Sequence, residues 1–394
     1  MKKIFALFLT SLIMTASLFA GWFDERYFEL AVDMPFGLSN NSIKIGDVFQ
    51  KNLVIDLREI ADNMPDEGLG FYMYSNPAFS FSLRIKNFKI GAKTGIESWA
   101  YGGVSKDLFD YIGKGNSLGQ TVTISQNVNT DVFAVHEIFA SFKVKQLKVT
   151  VKPAVFLPVL HVSSNDGKLT LENNEDGTLM VNYNSSLEIY SAMDYKNKKA
   201  SCFPGFDLAA SVTYPLFDFL SLTGNLRFPV YPGQMGYRFT VDNSLEFETS
   251  VNKIIDGGLG DKNFSSEVSE ATGTTYRINR PLKFSLFADF TPFGSWVLFT
   301  GGLGMGFRHP FTEDKDSFEV FGEYYLGGKI LLGNILSAGV SSQYYEKLFI
   351  HQIDFKANVR IFELDFGLSS QSTDFLKSCS GGGIGSFITV KMGF

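Results

Sequence analysis

Apolar and polar residues alternate one by one along most of this chain. Phe79, Phe81, Leu83 and Ile85 share one parity against Ser80, Ser82, Arg84 and Lys86. After Asn87 the pattern resumes, with Phe88, Ile90, Ala92 and Ile96 against Lys89, Lys93 and Glu97. Leu282, Phe284, Leu286, Ala288 and Phe290 oppose Lys283, Ser285 and Asp289, while Phe362, Leu364, Phe366 and Leu368 oppose Glu363, Asp365 and Ser369. Successive side chains of a strand point to opposite faces, so each run predicts a strand with one apolar and one polar face. The same reading gives strands near 27–35, 78–86, 88–97, 131–145, 147–160, 206–214 and 219–229. It continues through 281–291, 295–307, 318–332, 334–345, 349–361, 362–370 and 384–394. Hairpins at 167–190 and 237–280 are expected as outside extensions, raising the count from about 14 to 16 or 18 if they join the wall.

Two segments break the alternation. Asn52 to Met64 places Leu53, Ile55, Leu57, Ile60 and Ala61 among charged residues and predicts a short amphipathic helix stopped at Pro65. Val104 to Gly113 predicts a second. The first is expected to plug a lumen within a plug or hatch segment spanning 37–77; the second is expected to cap a mouth.

Alternation alone does not say which face is wet. The chain ends do. Met1-Lys2-Lys3, the apolar run Ile4 to Ala16 and Leu18-Phe19-Ala20 before Gly21 read as a secretory signal over 1–20, leaving a single barrel domain over 21–394. Beyond it, no apolar stretch approaches the roughly 20 residues a spanning helix needs. The 40 Phe, 16 Tyr and 38 Gly coexist with a mean hydropathy near zero, as when lipid-facing residues are averaged against lumen-facing ones. A net charge of −6 argues against a nucleic-acid partner.

The last strand carries Ile388, Val390, Met392 and Phe394 on one parity and ends the chain on that aromatic. It resembles the C-terminal strand of bacterial outer-membrane β-barrels. The resemblance implies that these four residues form the signal read by the barrel-assembly machinery, with periplasmic chaperones as further partners. Asn76-Pro77-Ala78, in a Tyr/Phe-rich run leading into a strand, resembles the hatch motif of the long-chain fatty-acid transporter superfamily of such barrels. A wider likeness, in Lys106-Asp-Leu-Phe-Asp-Tyr-Ile-Gly-Lys-Gly-Asn-Ser-Leu-Gly119, is to uncharacterised barrels of that superfamily from spirochaetes and Bacteroidota.

Chemistry is sparse. His136 and His351 share the parity of the apolar face, and His161 and His309 fall at strand ends, so no nucleophile–base pattern emerges. Gly301-Gly-Leu-Gly-Met-Gly306 lies inside an alternating strand with no helix after it, which removes the dinucleotide-loop context. Its glycines are expected to make room inside the wall. Cys202 and Cys379 sit in Gly/Ser-rich sequence, with pairing open. No catalytic, cofactor or metal residues are assigned.

The polar face is the informative one. Arg84, Lys89, Lys93, Lys283, Asp289, Glu319, Glu323, Lys329, Asp354, Lys356, Arg360, Glu363, Asp365 and Lys391 are expected to face the lumen. Their mixed signs permit ion-pair ladders. Phe287, Phe321, Tyr325, Tyr345 and Phe387 would add inward aromatics, suiting plug packing or a hydrophobic ligand.

The expectation is an all-β transmembrane antiparallel barrel in outer-membrane lipid, without enzymatic activity, taking up small hydrophobic molecules. The alternatives are a diffusion porin for hydrophilic solutes and a non-conducting barrel. The latter would bind host or envelope partners through long outside loops at 98–130, 162–205 and 230–280.

Overall fold

The computed structural model describes residues 26–42, 56–164, 167–250, 262–311, 318–333, 335–359 and 361–394. The expected signal sequence, the start of the first helix and Arg360 lie outside them.

The chain opens with β1 (Phe28–Asp33), β2 (Phe36–Asn40), α1 (Leu57–Asn63), β3 (Leu69–Ser75), β4 (Ala78–Ile85), β5 (Phe88–Val104) and α2 (Lys106–Lys114). Then come β6 (Gln120–Val144), β7 (Leu147–Ser164), β8 (Gly167–Asn173), β9 (Thr178–Ser191) and the short β10 (Met193–Asp194), β11 (Lys199–Ala200) and β12 (Cys202–Phe203). β13 (Gly205–Phe217), β14 (Leu220–Tyr231), β15 (Gly233–Ser250), β16 (Lys262–Val268), β17 (Thr272–Ile278) and β18 (Leu282–Phe290) follow. The last elements are β19 (Val297–Arg308), β20 (Glu319–Leu332), β21 (Leu336–Tyr345), β22 (Leu348–Val359), β23 (Phe362–Ser372), α3 (Phe375–Cys379) and β24 (Gly383–Gly393).

These strands form a closed antiparallel barrel. β24 pairs with β23 on one side and with β1 and β2 on the other, so the last strand meets the first. Near the chain termini the ring runs through β1, β4–β7, β13, β14 and β18–β24, fourteen strands joined by short turns. Lys86 and Lys145, both at φ near 55°, and Gly333 make the reversals there. Towards the opposite end β8 continues the line of β7 along β6, β9 pairs with both on their other edge, and the closed barrel counts 16 strands. β9 continues into a tall sheet with β15, which also carries β16 and β17. The hairpins read as outside extensions therefore do both: they project, and one joins the wall.

The apolar parity faces outward. Leu303 is 72% exposed, Leu326 64% and Phe394 70%, members of a band that water would oppose and hydrocarbon accommodates. No helix among the described residues is long and apolar enough to cross a membrane, a statement that leaves strand crossings open.

Two strands of the wall are broken at one level. Met34-Pro35 separates β1 from β2, and Asn76-Pro77 separates β3 from β4. The breaks are neighbours, because Phe36 pairs with Ser75 while Asp33 pairs with Ala78. Each proline removes a ladder donor where a continuous strand would supply one.

This arrangement corrects the 37–77 plug expectation. Phe36–Asn40 and Leu69–Ser75 belong to the wall. α1 lies against α2: Lys114 bonds Asp110 at 2.8 Å and Asp62 of α1 at 3.1 Å, which holds its ammonium above the usual lysine pKa. α2 in turn sets Leu108 and Tyr111 on Ile124, Leu171 and Val181 of the extension sheet. The helix is short because Asp56 caps its first turn and Met64-Pro65 ends it.

Candidate functional site

The inner face is built by pairing large residues with glycine. A Cβ on Gly302 would meet the Phe287 ring at 2.3 Å, and one on Gly306 would meet the Phe321 ring at 2.2 Å. The glycines of β19 thus let inward aromatics lie flat on the wall. Phe287 also packs near Tyr325, at 6.3 Å between ring centroids.

Most charged residues of that face are bound to one another. Lys329 reaches Asp354 at 2.7 Å, beside Asp365 of the next strand, whose register partner is Lys356. Glu363 takes Lys356 and Lys391 at 3.1 and 3.0 Å. Lys89 pairs with Glu29 at 3.3 Å, and Asp289 accepts from Thr300. Arg84 stands opposite Lys89 in the β4–β5 ladder. Lys283 joins Glu323 at 2.7 Å, and Glu319 joins Arg308 at 3.2 Å. Mixed signs on adjacent strands produce ion-pair ladders.

Two arginines outside the expected lumen set, Arg280 and Arg227, reach into the interior. Arg280, in the link between β17 and β18, is buried, donating to Asp207 of β13 and through two nitrogens to Glu97 of β5. Arg227 of β14 adds a contact to Glu97 at 3.5 Å and donates to the Pro281 carbonyl. Above this pin, Met235 and Ile278 pack on Phe133 and Phe156, so the feet of β15 and β17 fill that part of the interior. Arg308 of β19 lies over the Trp99 ring of β5 at 4.1 Å. Parity gave a signal for Arg227, which continues Ser221, Thr223 and Asn225, and for Arg308, which continues Gly302, Gly304 and Gly306, but none for Arg280.

Between these bridges lies a cavity of about 430 Å³. Tyr74, Trp99, Phe133, Tyr345 and Phe387 supply its aromatic surface. Pro35 and Asn76 line it as well, which places the double break of the wall at its side. Of its charged lining residues, Glu97, Arg227 and Glu346 are ion-paired. Asp33 and Lys93 line it too, and among the described residues neither has an ion-pair partner.

Asn76-Pro77-Ala78 shapes this wall. The Asn76 side chain accepts from the Ser98 backbone at 3.1 Å and the Pro77 carbonyl from Ile96 at 2.9 Å, fastening the break to β5. Ala78 packs close to Gly95, where a Cβ would meet it at 2.8 Å. At the barrel's closure, Ile388, Val390, Met392 and Phe394 occupy the outward parity of β24. The Phe394 carbonyl accepts from Tyr27 at 2.7 Å and Phe28 at 3.2 Å.

The histidines are dispersed. His136 bonds Thr94 on the outer surface, and His351 bonds Ser378 of α3. His161 is buried against Asp131 at 2.7 Å and stacks on Tyr276, with His309 edge-on at 6.3 Å. Cys202 and Cys379 are both exposed and unpaired.

No family model matches the chain, and no curated protein matches it. Among solved structures, the ΔS2S3 mutant of the monoaromatic hydrocarbon channel TodX superposes with a TM-score of 0.50 at 9% identity, covering 93% of this chain and 90% of that one. The toluene transporter TodX of Pseudomonas putida gives 0.48 at 10% identity over 94% and 90%, and a Pseudomonas aeruginosa FadL homologue gives 0.41 at 11% over 93% and 90%. At such identities the likeness is one of fold. In fold, this chain is a closed outer-membrane-type β-barrel similar to the TodX channel.

Proposed function

We propose that the chain is an outer-membrane barrel through which small hydrophobic molecules are taken up, with the aromatic cavity as their resting place inside the wall. One observation carries the reading: a cavity of about 430 Å³, the size of a small-molecule site, sits under five aromatic rings inside an apolar-coated barrel. The fold likeness to a protein described as a monoaromatic hydrocarbon channel agrees with it. Asp33 and Lys93, without ion-pair partners among the described residues, give the cavity two polar handles, so a ring bearing one polar group suits it better than a long alkyl chain. The double break at Pro35 and Asn76 offers a sideways exit into the bilayer. The cross-lumen arginines argue against a wide aqueous pore.

Trp99 makes the proposal measurable. Nitrobenzene, a small hydrophobic quencher, should reduce the fluorescence of the refolded protein along a saturating curve. The Trp99→Phe variant should keep only linear collisional quenching. Linear quenching in both proteins would reject the cavity as a hydrophobic site.

A second reading, a barrel that binds host or envelope partners, draws on the tall β8–β9–β15–β16 sheet with its polar Asn184, Asn243 and Ser265 surface. It would gain if the folded protein took up no hydrophobic ligand.

A further inference from the structure

The β21–β22 connection departs from its surroundings. It is a two-residue turn, Glu346-Lys347, with both residues left-handed at φ 50° and 69°. Such turns favour Asn-Gly, because a side chain at positive φ is strained. Here tertiary contacts hold the strained pair. Glu346 binds Lys283 of β18 at 2.9 Å and also Arg308 of β19, and Lys347 binds Glu319 of β20 at 2.6 Å. The turn is therefore drawn over the inner face of three strands. Lys283 also lies 4.6 Å above the Tyr345 ring, and Tyr345 and Glu346 both line the cavity.

Arg308 is the group these contacts converge on. It is 5% exposed, pairs with Glu319 and Glu346, and stacks on Trp99. β5 and β19 stand on opposite sides of the ring, separated by β6, β7, β13, β14 and β18 one way round. The Arg308–Trp99 contact consequently spans the lumen. A guanidinium over an indole face is favourable yet easily re-formed, unlike a packed core.

We propose that Arg308 is the bolt of a gate beside the cavity, and that the Glu346-Lys347 turn is the latch that holds the bolt across the lumen. Releasing Glu346 leaves Arg308 tethered by Glu319 alone, which frees the guanidinium to part from Trp99. The gate has two discrete arrangements, and loss of a latch contact shifts the population towards the open one. This inference rests on the reading of the cavity as part of the transport path.

The test is single-channel recording of the refolded full barrel in planar bilayers with potassium chloride as the only permeant salt. Wild-type protein should be closed for most of the record. Glu346→Gln should open roughly tenfold more often, the effect of losing one charge-assisted contact on a two-state equilibrium. Lys347→Ala, which alters a half-exposed side chain and leaves the core intact, should act in the same direction with the same step size. If Glu346→Gln does not fold, Lys347→Ala carries the test. Folded variants with wild-type opening frequency would overturn the gate. Small-ion conductance reads the gate whatever the cargo is. A gate that responds in a protein that never binds nitrobenzene would remove the hydrophobic-cargo reading and leave the gate standing.

Discussion

Arg280 grips Glu97 side-on, its Nε and Nη2 each donating to one carboxylate oxygen from a point 183 residues further along the chain. This contact ties the β17–β18 link to β5 across the lumen, and the aromatic cavity lies alongside it. Its other carboxylate, Asp207, is 1% exposed, so removing Arg280 strands a buried charge. Arg280→Met should destabilise the barrel by about 3–5 kcal/mol. The expected readout is a lower urea midpoint for loss of the compact form on cold gels. An unchanged midpoint would show that the pin is dispensable.

The outward parity sets a second expectation. Val359→Arg, on the apolar band, should cost about 2–4 kcal/mol and reduce membrane-inserted yield. Gln352→Arg, inward on the same strand, should insert normally. Inward parity alone does not guarantee tolerance: Asn358 is buried and receives a hydrogen bond from Arg26 at 2.8 Å, so Asn358→Arg should also fail. Equal yields for Val359→Arg and Gln352→Arg would reverse the faces.

On β19, Gly306→Val should drive a methyl into the Phe321 ring and cost about 1–3 kcal/mol. A Cβ at Gly301 meets nothing within 4 Å, so Gly301→Val should be close to neutral. Thermal denaturation of the two variants separates them, and a matched loss at both would contradict the packing described.

Deleting Phe394 should lower assembly more than Phe394→Leu does. The deletion moves the chain end away from Tyr27 and Phe28, whose amides bond the Phe394 carbonyl, whereas the substitution keeps that carbonyl in place. The measurement is the fraction of protein in outer-membrane pellets, with equal yields as the contrary result.

Much of the wall was legible because a period of two is printed in the residues themselves. Phe355, Leu368 and Ile388 could be assigned to one face without any knowledge of their neighbours. Strand number was less legible, since β8 prolongs β7 along an overlong β6 and β9 then pairs with both, a matter of length that alternation does not encode. The bounds expected for the 37–77 segment were wrong at both ends for a related reason. Pro35 and Pro77 interrupt strands without ending the wall, so residues beside them looked like a separate segment. Ladder charges such as Lys329 and Glu363 were visible by parity, but Arg280 was not. It lies outside any strand, and its partners are set by tertiary proximity. The Glu346-Lys347 turn was equally silent because it lacks the Asn-Gly composition that marks such turns.

The central claim is that the barrel admits small hydrophobic molecules by way of its cavity. The direct measurement is initial uptake by intact cells carrying the barrel in their outer membrane, comparing toluene with a hydrophilic solute of similar size. Toluene entry should rise severalfold over cells lacking the barrel, the hydrophilic solute should change little, and Thr389→Trp, which fills the cavity, should abolish the gain. An equal rise for both solutes, or a toluene gain untouched by Thr389→Trp, would contradict the account.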